Sequence, residues 1–475
     1  MSENFYITTT LPYVNAAPHL GFAWEILTAD IIARDRRARG QKVVFNTGTD
    51  EHGQKIWEKA RERGMTPQQH VDEMSQNFRD LRELLDISYT NFIRTTDAHH
   101  MAAAQEMWRR CAQRGDIYKK KYAVKYCVGC ELAKTESELV DGRCPLHPDR
   151  ELEVREEDNY FFRFSRYQQP LLDFYASHPD FVIGEGKQSE IVAFVKNGLQ
   201  DFSISRVATA MPWGIPVPDD DTQVMYVWFD ALTNYIATLG WPEETSDWDA
   251  WWPGVQTCGK DNLRQQAATW QAMLMSAGLP GSQHILVNGF ISVDGQKMSK
   301  SLGNVIAPGQ LVDRYGREAT RLILAGLPVW SGDVDITWAR LDEWYTAHLV
   351  NGLGNLASRL AKLASTCDDW QSWRAPEARS SELLAALEKF DTSGGLQTII
   401  DRVSRCDAML SEKKPWLIND NREKVQVLST IGDIFLLAVA DLSIYMPEAS
   451  ECLLAHFTAP AITPLTPMFP RLAKH

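Results

Sequence analysis

The sequence predicts an α/β protein with a Rossmann-type parallel sheet, a small insertion within it, and an α-helical bundle after it. Three observations carry this. Strand, helix and strand alternate in the first 65 residues. The rhythm breaks near residue 118, where Cys and His cluster among alternating charged segments. Beyond about 325 the apolar residues recur at helical spacing.

The first strand is "FYITTT" (5–10), β-branched and aromatic, ending in the turn "LPYVNAAP". Leu20, Trp24, Leu27 and Ile31 then mark one face of a helix that Gly40 stops. "KVVFNTGTD" (42–50) is a second buried strand, and "EHGQKIWEKARERG" opens another helix. Strand–helix–strand in this order makes a right-handed parallel unit. Ligands in such sheets sit beyond the carboxyl ends of the strands, here "LPYVN" and "TGTDEHG". The pattern resumes at 223–236, 257–262 and 284–296. The expected domains are 1–117 and 223–325 for the two halves of the parallel-sheet domain, 118–222 for the insertion, and 326–475 for the bundle. "APAITPLTPMFP" (459–470) is expected to lie on the surface or fray.

A chain of 475 residues accommodates two to four such units. There is no run of 18 apolar residues and no basic-then-apolar leader, so a soluble, cytoplasmic protein is expected, with no membrane partner. The net charge of −13 excludes a globally basic nucleic-acid binder, so any RNA contact must use local surface. Two basic stretches, "RDRRARGQK" (34–42) and "YKKKYAVK" (118–125), read first as solvated surface. Eight cysteines in this length do not make a disulfide scaffold.

The most specific local motif is Cys127-x2-Cys130, 13 residues, then Cys144-x2-His147. Two knuckles of thiolate and imidazole match tetrahedral Zn²⁺, and a closed Cys3His set leaves no open position, so the ion would be structural, one per chain. It would staple an insertion too small to build its own core. The loop "DGQKMSKSLGN" (294–304) carries Lys297 and Lys300 after an Asp-Gly turn, two point charges suited to a polyphosphate. "PHLGFAWE" (18–25) is a helix start whose N–H groups favour phosphate, where Gly21 allows close approach and His19 can donate to an oxygen.

Together these residues resemble the class I aminoacyl-tRNA synthetases, whose two signatures are matched by "HLG" and "KMSKS". "TLPYVNAAPHLG", "NTGTDEHG", "WGIPVPDD", "YVWFDALTNYI", "KMSKSLGN" and "NGLGNLASRL" look specifically like the methionyl group, from residue 5 to about 450. The resemblance implies ATP-dependent formation of methionyl-adenylate, with Mg²⁺ accompanying ATP, then transfer to the 3′ end of tRNA(Met). Leu11, Tyr13 and Asp50 would line the amino-acid site, with Asp50 taking the α-ammonium. Trp228, Ala231 and Tyr235, with Asn262 and Gln266 on the wall, would hold the side chain. His19, Gly21, Glu25, Gly259, Asp261, Lys297, Ser299 and Lys300 would hold ATP, and His19, Lys297 and Lys300 would act on its phosphates. Arg206 would link insertion and active site. Asn355, Arg359 and Trp416 would read the anticodon. A monomer is expected.

Two departures from the family pattern raise questions. Phe22 stands where the second histidine of His-x-Gly-His is usual. A lost charge-assisted bond is worth about 1.5–3 kcal/mol, or roughly 10- to 200-fold in rate. On this reading Phe22→His would raise adenylation. At "GKDNLRQQ" (259–266) the usual apolar and aromatic–histidine positions hold Asn262, Gln265 and Gln266. Either the amino acid is more polar than methionine, or the amides bond one another and methionine still fits. The alternatives are a paralogue that activates another amino acid or serves a biosynthetic pathway, and a non-catalytic tRNA-binding relative.

Overall fold

The computed structural model describes residues 3–127, 132–134, 139, 141–144, 149, 151–243, 247–298, 304–368, 370 and 372–472. Its centre is a six-stranded, all-parallel sheet. Strand β1 (Asn4–Thr8) lies in the middle, with β2 (Lys42–Thr49) and then β3 (Asn91–Arg94) on one side. On the other side follow Val255–Gly259, His284–Asn288 and Val182–Ile183. The order reverses between β1 and Val255–Gly259, which places the ligand crevice there.

Alternation along β1 explains the layers. Phe5 and Ile7 enter one core, which contains helix α1 (Leu20–Ala38) and runs on into the bundle. Tyr6 enters the other, with Trp108, Phe229 and Trp270. Successive side chains of a strand point to opposite faces, so helices must cover both.

The insertion is not one block. Ile117–Cys127 and Glu153–Phe162 pair antiparallel as expected, but Val182–Ile183, inside 118–222, joins the parallel sheet beside His284–Asn288. Two residues of strand flanked by helices leave no periodic signal to read. The basic stretch 118–125 faces acidic partners: Lys119 Nζ lies 2.8 Å from Asp220, and Lys121 sits opposite Asp158.

The other basic stretch turns inward. Arg34 binds Asp30 and Asp86, Arg37 binds Ser88, and Arg39 binds Asp35 and Glu388. These arginines, expected at a solvated surface, form the seam between α1 and its neighbours. Arg321 is fully buried in the same seam. It donates to Asp30 at 2.9 Å and to the carbonyls of Leu85 and Tyr445 at 2.7 and 2.8 Å. The sheet domain and the bundle are thus locked by one guanidinium whose fork suits a carboxylate and several carbonyls at once.

Beyond residue 338 the chain is helical: Trp338–Tyr345 runs through 346–354 into Asn355–Ala364, followed by Ser381–Glu388, Thr392–Lys413, Asn421–Asp441 and Pro447–Phe457. Asn421–Leu442 is the one segment among the described residues long and apolar enough to cross a membrane, but half of its window is buried against neighbours, as in a core helix. The proline-rich tail does not fray. Phe469 is buried against the Gly354 turn and Tyr345 donates to the Pro470 carbonyl at 2.9 Å.

Candidate active site

The entry helix begins as its sequence suggests. His19 caps α1: its Nδ1 accepts the Phe22 N–H at 3.3 Å. Nδ1 then holds a lone pair, so Nε2 carries the proton, the donor that a phosphate oxygen needs. Gly21 is required by this cap. A Cβ there would lie 3.0 Å from His19 Cε1 and displace the ring.

Phe22 does not face the crevice. It is buried in the core, edge-on to Phe78 at a centroid distance of 5.7 Å. The expectation that histidine here would restore a phosphate contact is corrected by this packing, because an imidazole would be buried among apolar side chains without a partner. Phe22→His is expected to lower stability by about 2–4 kcal/mol and not to raise the adenylation rate. Melting temperature and pyrophosphate exchange check this; faster exchange with unchanged melting would refute it.

Glu25 also lies behind the surface. The Thr10 N–H and hydroxyl both donate to its Oε1 at 2.8 Å, and Thr257 donates at 3.3 Å. Burial, with Asp261 adding repulsion, raises its carboxyl to about 8. Glu25 ties the turn after β1 to the strand Val255–Gly259, across the point where the strand order reverses.

Asp50 follows β2. Its N–H donates to the Pro12 carbonyl and its carbonyl accepts from Val14, which lays it beside Tyr13. The side chain is part-buried, and the buried Oδ1 has no partner. Burial first, then the Asp230 and Glu51 carboxylates, push this carboxyl well above its ordinary range. A carboxylate aimed into a crevice without a cation is built for one that arrives. Glu51, by contrast, is satisfied by Thr49, Thr96 and Arg94. Gly53 adopts φ 105°, and a Cβ there would lie 3.0 Å from the Tyr13 hydroxyl.

Asp230, between Trp228 and Ala231 on Val227–Ala231, accepts from His52 Nδ1 at 2.8 Å and His100 Nε2 at 3.0 Å. Burial opposes its charge, but the two imidazoles hold the carboxyl below its usual range. This triad was not legible in the sequence, since its members come from three separate segments. It fixes the helix that carries Trp228 and Ala231, both part-buried. Leu11 packs against the core that contains Tyr235.

At the polar wall, Gln266 is buried and bonded at both ends. Its Oε1 accepts from Gln256 Nε2 at 2.7 Å and its Nε2 donates to the Tyr235 hydroxyl. Gln265 Oε1 is a buried atom with no partner, and Asn262 is part-buried. Asn288 ends its strand with both side-chain polar atoms buried and unpartnered. It was missed by the sequence reading, although a polar residue before Gly at a strand's carboxyl end is a usable signal. Unpaired atoms at Asp50, Gln265 and Asn288 belong to segments that follow or end strands of the parallel sheet.

Gly259 closes its strand, and Asp261 follows it, exposed. The phosphate-loop residues Ser299 and Lys300 lie outside the described residues, as do Cys130 and His147; of Lys297 and Cys127 only the backbone is described. Lys297 ends the strand Gln296–Lys297, which pairs with Ile291–Val293 across an Asp294-Gly295 turn. Cys144 is fully buried yet belongs to neither apolar core. Arg206 stacks on Tyr226 at 4.3 Å and donates to Ser203.

In the bundle, Asn355 is exposed and Arg359 lies one turn on, bonded to Asp407. Trp416 is 48% exposed, with the Arg359 guanidinium 5.8 Å from its ring centroid. An exposed tryptophan beside an arginine, with two lysines before it, offers a stacking platform.

The profile of the class I tRNA synthetases (M) matches residues 5–153 and 133–361. The methionine–tRNA ligase of Thermosynechococcus vestitus is 48% identical over 370 residues, 77% of this chain and 70% of that protein. That of Nostoc sp. is 39% identical over 474 residues, 94% and 89%. The Mycobacterium tuberculosis methionyl-tRNA synthetase in complex with methionyl-adenylate superimposes with a TM-score of 0.87 at 33% identity, covering 99% of this chain and 100% of that one.

Proposed function

Because the chain belongs to the methionyl-tRNA synthetases of class I, we propose a residue-level account of how it activates methionine with ATP and charges tRNA(Met). The observation that carries this account is the unpaired Asp50 Oδ1 at the end of β2. Asp50 receives the α-ammonium, beside Leu11 and Tyr13. Trp228, Ala231 and Tyr235 surround the side chain. The paralogue that activates a polar amino acid loses its motive, because Gln266 spends both polar atoms on protein partners.

His19 Nε2 and the first N–H groups of α1 meet the phosphates, and Gly259 and Asp261 lie along the nucleotide. Glu25 sets the spacing between β1 and Val255–Gly259 while keeping its own proton near neutral pH. Lys297, Ser299 and Lys300 are proposed for the phosphates from their place after the Asp294-Gly295 hairpin. The amino-acid carboxylate attacks the α-phosphate, pyrophosphate leaves, and the terminal ribose hydroxyl of tRNA then takes the acyl group. Both steps depend on positioning and charge stabilisation and need no covalent enzyme intermediate. Mg²⁺ bound with ATP supplies charge neutralisation on the phosphates. Pyrophosphate exchange across the twenty amino acids tests the assignment: exchange with methionine is expected, and exchange with a polar amino acid alone would overturn it.

Cys127, Cys130, Cys144 and His147 would hold one structural Zn²⁺. The fit rests on donor chemistry, on Cys127 pairing with Leu132 across a hairpin mouth, and on Cys144 being buried away from both apolar cores. About one equivalent should survive dialysis; less than half an equivalent would count against the site.

Asn355, Arg359 and Trp416 are proposed to read the anticodon. Base stacking on an aromatic ring contributes about 1–3 kcal/mol. Trp416→Ala should therefore weaken tRNA charging by roughly 5- to 150-fold in kcat/KM and leave pyrophosphate exchange unchanged. Equal loss in both assays would sink the assignment.

A further inference from the structure

Behind the proposed side-chain pocket, buried amides form a hydrogen-bond chain whose direction can be worked out. Gln271 Oε1 accepts the Ser282 backbone N–H at 2.9 Å. A backbone amide only donates, so the orientation of Gln271 is settled. Its Nε2 therefore donates, to Ser282 Oγ and to the Gln266 carbonyl, both at 2.9 Å. Ser282 Oγ thus accepts one bond and gives its own hydrogen to Gln256 Oε1. Gln256 Nε2 must then face Gln266 Oε1, which it meets at 2.7 Å. Gln266 Nε2 is left to donate to the Tyr235 hydroxyl oxygen. Reversing the chain would turn two N–H donors onto Ser282 Oγ and leave its hydrogen without an acceptor, in a place where water does not reach.

The Tyr235 ring is held at both ends. It packs edge-on to Trp270 at 5.8 Å, and Tyr6 donates to the Tyr235 carbonyl at 2.8 Å. With the hydroxyl oxygen occupied by Gln266, its hydrogen points elsewhere. Among the described residues none accepts it.

We infer that Gln256, Gln266, Gln271 and Ser282 are positioning residues that turn the Tyr235 O–H toward the bound amino-acid side chain, so that the pocket selects a side chain with an acceptor atom over its hydrocarbon isostere. The inference rests on the methionine reading above and on the place of Tyr235 in that pocket. A thioether sulfur is a weak acceptor, and norleucine has the same length without one. The polar residues that looked on sequence like a change of substrate then serve to recognise the sulfur, by controlling a proton they do not own.

The test is kcat/KM in pyrophosphate exchange for methionine and for norleucine. Ser282→Ala removes the hydrogen that orients Gln256, so both amides downstream can flip. The preference for methionine should fall about three- to ten-fold, through the KM for methionine, with norleucine unmoved. Ser282→Thr, which keeps the hydroxyl, should restore it. A loss shared equally by both substrates, or an unchanged preference, overturns the inference. If Ser282→Ala does not fold, Tyr235→Phe deletes the O–H itself and must lower the preference by a similar factor; if it does not, the inference fails. Absence of methionine-dependent exchange in the unaltered protein would instead count against the substrate reading.

Discussion

Asp50→Asn is expected to lower methionine-dependent pyrophosphate exchange about a hundred- to several-thousand-fold in kcat/KM. Removing one partner of a desolvated charge pair costs roughly 3–5 kcal/mol, and each 1.36 kcal/mol is tenfold. The same variant should be more stable than the parent near pH 8. Asp50 sits among Asp230, Glu51 and its own desolvation, which hold its proton more tightly in the folded chain than in the unfolded one. A carboxyl whose folded pKa is raised contributes stability that is full below its unfolded value and is lost as pH rises through the folded one. Asparagine carries no such penalty, so the gain should grow with pH and vanish in acid. The KM for methionine should improve with rising pH in the parent, as Asp50 loses its proton, and this dependence should disappear in Asp50→Asn. Melting curves from pH 5 to 8 beside the exchange assay read both effects. A variant that is inactive and also less stable at every pH would mean that Asp50 is structural.

Arg321→Met is expected to destabilise the chain by about 3–5 kcal/mol, because Asp30 and the carbonyls of Leu85, Asp86, Ile444 and Tyr445 lose a shared buried donor. Asp30 keeps Arg34 and Ser88, so the sheet domain should hold together while the bundle loosens from it. Calorimetry should then show the bundle melting first, and tRNA charging should fall more than pyrophosphate exchange. One transition at the parent's temperature would refute the role of Arg321 as the lock. The seam also explains why "RDRRARGQK" is a poor guide to RNA. Arginines chosen for forked bonds to carboxylates and carbonyls look, in one dimension, like a basic surface.

Local order explains what could be read in advance. The β1 turn, the His19 cap and Gly21 lie within fourteen residues, and capping is decided by neighbours a turn away. Asp50 follows a strand whose carboxyl end is the one place where a parallel sheet accepts ligands. The Cys3His spacing and the helical periodicity after 338 are likewise local. Phe22 was misread because its partner, Phe78, arrives from another helix 56 residues on, and nothing near position 22 announces it. The strand Val182–Ile183 is too short for a period, and Phe469 docks on a turn more than a hundred residues earlier.

Alone, the sequence determined the kind of protein: the parallel sheet, the helical bundle, the family, and the residues whose chemistry suits ATP and an amino acid. Each of these follows from spacing along the chain. Only the tertiary structure decided what the polar and charged residues do. Whether Gln266 offers its amide to a substrate or spends it on Gln256 and Tyr235 depends on which donors meet it in a dry interior, and those come from distant segments. Whether Asp50 is paired depends on which cation lies nearby, and none of the neighbouring arginines reaches its Oδ1. Burial and pairing are properties of three-dimensional neighbours, so a sequence can name a carboxylate or an amide but not say whether it is satisfied.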